Sequence, residues 1–237
     1  THEKTFGIVN LLQNKIGLTT MAHYTCVNAT REKVGHDLIA LHELGIENLM
    51  LLRGDPPKGM TEFVPASDQF QHGSDLVKFA HTYNNFSIGA AAYVEGHPES
   101  ISKEEDLKYT KLKVDNGADF LITQLFFDNS FYFDYVKKAR EIGIECRIIP
   151  GIIPITNFGQ IKRFIDMSNA TIPPEIYNAM EPYKDKPKKT YELGVDFAIK
   201  QVMDLLANGA PGIHFYTLNK SRATVDIYET LKSFNRI

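Results

Sequence analysis

Arg53, Gly54 and Asp55 stand together after a four-residue apolar run, Leu49 to Leu52, and are followed at once by Pro56 and Pro57. A short apolar run bounded by breakers reads as a strand buried on both faces. A guanidinium, which never loses its charge, can hold an anion there by a two-pronged hydrogen bond. A carboxylate beside it can stabilise charge that develops in a bound molecule. The plainer alternative is a mutual surface ion pair between Arg53 and Asp55. The tripeptide also spells an adhesion motif, but THEKTFGIVNLLQNK has no basic region followed by an apolar block, so no secretion signal supports that use.

Similar polar residues end the other apolar runs: His23 and Thr25; Tyr93, Glu95 and His97; Gln124 and Asp128; Thr156 and Asn157; Tyr216, Thr217 and Asn219. The set is hydrogen-bonding and aromatic and contains no nucleophile–base pair. It suits holding a large, planar, polar molecule better than hydrolysis. Each residue also has a structural alternative. His23 can bond a backbone carbonyl inside its strand, and Gln124 can be satisfied by the fold. Tyr93 and Phe164 can be core, His97 a solvated loop residue, and Lys111 and Lys113 a solvated helix face. No His-x-His pair, dinucleotide glycine motif or P-loop occurs, so no metal is expected and any dinucleotide must be held by side chains and loops.

The elements that must position these residues alternate. After a helix over His2–Lys15, strands are expected at 21–27, 48–53, 87–94, 120–127, 147–154 and 212–218. Helices fall between them. Thr30 precedes a helix that stops near Gly45, Ser102-Lys103-Glu104-Glu105 is a capping-box pattern, and Asn129 stands where the next cap is needed. Asn157 opens a short helix, Pro187 suits the first turn of a long one, and a last helix covers 221–234. Strand–helix alternation argues for a parallel sheet. Strands without a polar side, ending in polar residues, favour a closed (β/α)8 TIM barrel. Six strands are counted against eight, and the chain starts on a helix. The expectation is therefore one domain over residues 1–237 whose front strand–helix–strand is missing. Such a fragment would expose two sheet edges and fold poorly alone.

Composition excludes other classes. The chain has 237 residues, 43% of them hydrophobic, and a net charge of −3. No basic field invites nucleic acid, and no apolar run approaches the roughly 20 residues of a membrane span. Cys26 and Cys146 without a CxxC read as buried thiols in a reducing cytoplasm.

Six segments together resemble one family, methylenetetrahydrofolate reductase: MAHYTC (21–26), LLRGDPP (51–57), AAYVEGHPE (91–99), KVDNGADFLITQLFFD (113–128), IIPGIIPITNF (148–158) and HFYTLN (214–219). They occur in order over nearly the whole chain. The resemblance implies a barrel with FAD across its mouth. It implies reduction of 5,10-methylenetetrahydrofolate to 5-methyltetrahydrofolate in a ping-pong sequence, with NADH or NADPH as reductant. By similarity, His23, Arg53, Gly54, Asp55, Ala66, Tyr93, His97, Asp106 and Lys113 contact FAD. Asp55 and Gln124 serve catalysis and substrate, and Gln160, Phe164 and Lys220 help hold folate or nicotinamide. A cytoplasmic homo-oligomer is expected, since flavin barrels commonly associate. Two departures matter. The family's general-acid glutamate, on its first strand, is absent from this sequence, so a non-catalytic flavin-binding barrel is the alternative. Lys220 stands where the family usually has arginine, which keeps the charge but loses the fork.

Overall fold

The computed structural model describes residues 2–27, 29–54, 70–168 and 170–234. Asp55 and Ala66 lie outside the described residues. Two compact units are distinguished: residues 1–91 with 108–121, and residues 92–107 with 122–237.

Strands β1 (Met21–Thr25), β2 (Asn48–Leu52), β3 (Ser87–Ala92), β4 (Phe120–Thr123) and β5 (Arg147–Ile149) form a sheet in chain order, and β6 (Gly151–Ile152) pairs with β7 (His214–Phe215). The pairings β1–β2, β2–β3 and β6–β7 are parallel. The helices are α1 (His2–Asn10), α2 (Arg31–Glu43), α3 (Gly73–His81), α4 (Lys103–Asp115), α5 (Asn129–Glu141), α6 (Gly159–Ser168), α7 (Pro174–Met180), α8 (Pro187–Ala207) and α9 (Arg222–Ser233). This is the α/β architecture that strand–helix alternation demands.

In the first unit, β1 pairs residue for residue with β2, Met21 opposite Asn48 through Thr25 opposite Leu52. Leu49, Leu51, Ile88 and Ala90 are buried, as are Val34, Leu38 and Leu41 on one side of α2. Burying each such large aliphatic side chain contributes about 1.5–3 kcal/mol. The Thr30 hydroxyl accepts from the Lys33 N–H at 3.2 Å and caps α2 as the sequence anticipates. The first helix departs from expectation. Regular α-helix ends at Asn10, and Leu11–Ile16 widens into a π-turn. There Gln13 accepts from Thr20 N–H at 2.9 Å, and the Asn14 amide donates to the Leu44 carbonyl at 2.8 Å.

Tyr24 shows how β1 is held to its helix. Its ring is 3% exposed and its hydroxyl donates to Asp37 on α2 at 2.7 Å. Lys33 donates to the same carboxylate oxygen at 2.8 Å. Burial first, and the Asp37 carboxylate second, push the phenol well above its ordinary range, so it stays a neutral donor. Tyr24→Phe removes that donor while Lys33 still serves Asp37. We expect a stability loss of about 1 kcal/mol in denaturant titration. A loss of roughly 3 kcal/mol or more would mean that Lys33 does not compensate.

In the second unit, the expected strand 147–154 is divided at Pro150, which has no N–H to give to a ladder. The Pro150 carbonyl still accepts from His214 N–H at 3.0 Å, and Ile152 O from Tyr216 N–H at 2.8 Å. Asn129 does not cap α5. The Asp128 carboxylate accepts from Ser130 N–H at 2.9 Å, while the Asn129 amide donates to Gln201 O at 3.1 Å and to Asp204 at 2.7 Å on α8. The Ser102 cap forms, accepting from Glu105 N–H at 3.1 Å. The core of this unit gathers Leu125, Phe127, Ile153, Ile155, Ile161, Phe164, Ile176 and Met180.

Candidate active site

The first unit presents His23, Arg53, Gly54 and Lys113. The β1–β2 ladder continues past β2: Cys26 N–H reaches Leu52 O at 3.2 Å and Val27 N–H reaches Arg53 O at 2.9 Å. The backbone of Arg53 is thereby fixed at the strand end. The next residue, Gly54, has φ +89°, and a Cβ there would stand 2.9 Å from Val27 Cγ1 and 3.0 Å from Thr25 Cβ. Only glycine combines that backbone with that space. Cys26 lies beneath with a free thiol, pushed up to about 11 by burial, which leaves it unreactive at neutral pH.

His23 alternates with buried Ala22 and Tyr24, so it stands on the strand face away from α2. It is solvent-accessible on that face, yet partial desolvation holds its pKa below the ordinary value, and it is neutral at pH 7. The Lys113 ammonium, on α4, donates to the Ala91 carbonyl at 2.8 Å. Its position near the end of β3 is therefore set by a bond rather than by solvent.

The second unit presents Tyr93, His97, Asp106, Gln124, Gln160, Phe164 and Lys220. Tyr93 follows β3 and meets the His97 ring edge-on, centroids 4.6 Å apart. His97 Nδ1 accepts from Glu99 N–H at 3.1 Å, which leaves Nε2 as the donor nitrogen of the neutral ring. Asp106 is 4% exposed, and its Oδ1 accepts from the Ser100 hydroxyl at 3.4 Å. Glu95 accepts from Thr171 N–H with both oxygens, at 3.2 and 3.1 Å, and so ties the segment after β3 to the one after α6.

Gln124 is half-buried, and its amide oxygen accepts from Leu125 N–H at 2.9 Å. Its backbone N–H bonds Ala92 O at 2.7 Å. Gln160 and Lys220, sixty residues apart in the chain, line one pocket with Ile153, Thr156, Tyr216 and Thr224. The Tyr216 hydroxyl donates to Thr123 O at 2.8 Å, and burial with the nearby Tyr93 pushes it up to about 12. Phe164 is 1% exposed and stacks on Phe127 at 6.2 Å within the core. The burial favours its alternative reading as a core residue of an amphipathic helix.

Two pocket residues were not assigned to substrate by the resemblance. Thr156 was visible only as a strand-end residue. Thr224, in the first turn of α9, carried no pattern signal at all. Among the described residues, no helix is long and apolar enough to cross a membrane.

The methylenetetrahydrofolate reductase family model matches residues 1–232. A methylenetetrahydrofolate reductase (NADH) 1 from Arabidopsis thaliana is 38% identical over 242 residues, 98% of this chain and 41% of the relative. The chain thus spans well under half the length of that plant protein. A 5,10-methylenetetrahydrofolate reductase from Escherichia coli (strain K12) is 34% identical over 229 residues, 97% of this chain and 75% of the relative. A probable methylenetetrahydrofolate reductase (NADPH) from Caenorhabditis elegans is 39% identical over 218 residues, 91% of this chain and 32% of the relative. Among solved structures, a Clostridium thermocellum protein that binds two copies of 5-methyl-5,6,7,8-tetrahydrofolic acid superposes with TM-score 0.59 at 14% identity, over 94% of this chain and 78% of that one. A 2,3-dimethylmalate lyase superposes with TM-score 0.54 at 10% identity, over 100% of this chain and 66% of that one. At these identities the two structures speak for the fold alone, a TIM-barrel-like α/β architecture. The family match over residues 1–232, with the Escherichia coli alignment, places this chain in the methylenetetrahydrofolate reductase family.

Proposed function

We propose that the chain catalyses FAD-dependent reduction of 5,10-methylenetetrahydrofolate to 5-methyltetrahydrofolate, with NADH or NADPH as electron donor. One observation carries the reading. Gln160 and Lys220, both assigned to substrate by the resemblance, stand on the wall of a single pocket although sixty residues separate them. The names of the family relatives support the substrate, and include both nicotinamides.

The residues present fit FAD by their chemistry. Arg53 and Lys113 are cations suited to a pyrophosphate. Asp106 is a buried acceptor suited to a ribose hydroxyl, and Tyr93 an aromatic contact for the ribityl chain or ring. His23, Gly54, His97, and Asp55 and Ala66 from the segment outside the described residues, complete the proposed set. Bound FAD would supply the two-electron hydride relay between nicotinamide and folate.

The protein's own groups do the rest. Gln124 and Gln160 keep amide N–H groups for ligand after their oxygens are satisfied by backbone. Lys220 offers an ammonium at the pocket rim. By the resemblance, the Asp55 carboxylate would favour positive charge developing on the folate. The proposal includes a cytoplasmic homo-oligomer, which sedimentation of the purified protein would check.

The test is the visible spectrum under anaerobic conditions. We expect a flavin band that bleaches with NADH or NADPH and returns on adding methylenetetrahydrofolate. A band that bleaches without returning would mean a flavin-binding barrel that does not complete the reaction. Absence of a flavin band would overturn the assignment of the strand-end residues.

A further inference from the structure

The segment between β6 and α6 orients one side chain of the pocket. Gln160 Oε1 accepts from Thr156 N–H at 2.8 Å, from the Thr156 hydroxyl at 2.8 Å and from Asn157 N–H at 3.1 Å. In return, Gln160 N–H donates to Asn157 Oδ1 at 3.1 Å. Asn157 and Gln160 thereby close a reciprocal capping box at the start of α6. Backbone N–H groups only donate, so the atom facing Thr156 N and Asn157 N has to be the amide oxygen. The carboxamide cannot turn over without setting its NH2 against two N–H groups. Three donors already occupy an oxygen that has two lone pairs. What Gln160 has left to offer the pocket is Nε2, a pure donor.

We propose that Thr156 and Asn157 are positioning residues that lock Gln160 as a donor-only contact, so that this pocket recognises a ligand edge presenting hydrogen-bond acceptors. Rings edged with carbonyls or unprotonated nitrogens, and carboxylates, meet that requirement. An edge of N–H groups does not. The inference rests on the reductase reading and adds to it the polarity that the pocket selects.

A second observation in the same pocket points the same way. Thr224 lines it, and its hydroxyl oxygen is buried without a hydrogen-bond partner among the described residues. A hydroxyl can donate to a ligand acceptor. Lys220, on the same wall, has three donors and no acceptor. Of the other hydroxyls on this lining, that of Tyr216 is committed to Thr123 O at 2.8 Å.

The experiment measures KM and kcat for methylenetetrahydrofolate, with melting temperature, on the whole chain and three variants. Gln160→Glu can fill the same capping box, because glutamate serves at that position, but it brings an acceptor where a donor was. It should keep the melting temperature and raise KM about tenfold or more. Thr156→Val deletes one of the three locks and should raise KM roughly fivefold with a smaller change in kcat. Thr156→Ser restores the hydroxyl and should return KM to within about twofold of the parent. The proposal is overturned if Thr156→Val lowers the melting temperature but leaves KM unchanged, since the bond is then structural only. It is equally overturned if Gln160→Glu binds folate as well as the parent, or if Thr156→Ser behaves like Thr156→Val. Should Gln160→Glu fail to fold, the Thr156 pair decides alone. An inactive parent chain overturns the reductase reading and this inference with it; an active parent with unaltered variants overturns this inference alone.

Discussion

Gly194→Ala is expected to destabilise the protein by about 3 kcal/mol or more, although alanine is the better helix former by about 1 kcal/mol. Gly194 is buried in the middle of α8. A Cβ there would fall 1.7 Å from the Ile155 carbonyl oxygen and 2.8 Å from its carbon, with Met180 Cε at 3.1 Å. The methionine could move aside, because it is the end of a flexible side chain. The Ile155 carbonyl cannot move alone, because it belongs to the backbone that leads into Thr156, and Thr156 holds Gln160 by two bonds. The helix and that backbone must therefore separate, and the void and strain spread into the core around Ile155, Ile176 and Met180. A loss of about 3 kcal/mol corresponds to a fall of roughly 6–12 °C in melting temperature for a chain of this size. Calorimetry of the purified variant gives the answer. An unchanged or raised melting temperature would mean that α8 does not approach Ile155 this closely.

The same contact explains what the sequence can and cannot disclose. Thr30 and Ser102 are legible as caps because each hydroxyl stands just before a helix and accepts from the N–H three residues on. At Asp128-Asn129 two capping side chains are adjacent, and local pattern cannot choose between them. The choice is made by Gln201 and Asp204, more than seventy residues away, which engage the Asn129 amide and leave Asp128 to cap α5. Pro150 was visible inside an apolar run, but its effect depends on which strand lies beside it, and there the ladder resumes through its carbonyl.

Site residues divide in the same way. The position of Arg53 and Gly54 at a strand end was readable because an apolar run stops there and breakers follow. Gln160 entered through the resemblance, which does not give the direction of its amide; that is fixed by two backbone N–H groups that no residue type reveals. Phe164 shows the converse. A large apolar residue on α6 gives the same pattern whether it meets a ligand or the core, and only packing distinguishes them; here it stacks on Phe127. Thr224 gives no pattern at all, because one hydroxyl in the first turn of a helix is common, and its significance lies in the pocket it lines and the partner it lacks among the described residues.

Asp55→Asn is expected to slow the folate half of the reaction by about 100-fold while changing the nicotinamide half by less than about fivefold. The substitution keeps the size of the side chain and removes its charge. Asp55 follows Gly54, whose φ is +89° and where a Cβ would crowd Val27 and Thr25, and Gly54 follows Arg53, whose carbonyl accepts from Val27 N–H at 2.9 Å. The chain therefore enters the residue from a fixed backbone. Reduction of the folate requires its five-membered ring to open with positive charge developing on nitrogen, as the resemblance implies. In the proposed reaction a carboxylate at this position would stabilise that charge, which is where electrostatic groups act most strongly. Transfer from the nicotinamide also moves charge, but it leaves the folate ring untouched, so it loses only the general field of the carboxylate. The two halves can be followed separately by stopped flow, as bleaching of the flavin band with NADH or NADPH and its return with methylenetetrahydrofolate. A variant slowed equally and slightly in both halves would remove Asp55 from the chemistry and leave it as the ion-pair partner of Arg53. A variant slowed only with the nicotinamide would reverse its assignment. Because the neutral side chain is nearly the same shape, a large loss confined to the folate half would be due to the charge itself and not to its packing.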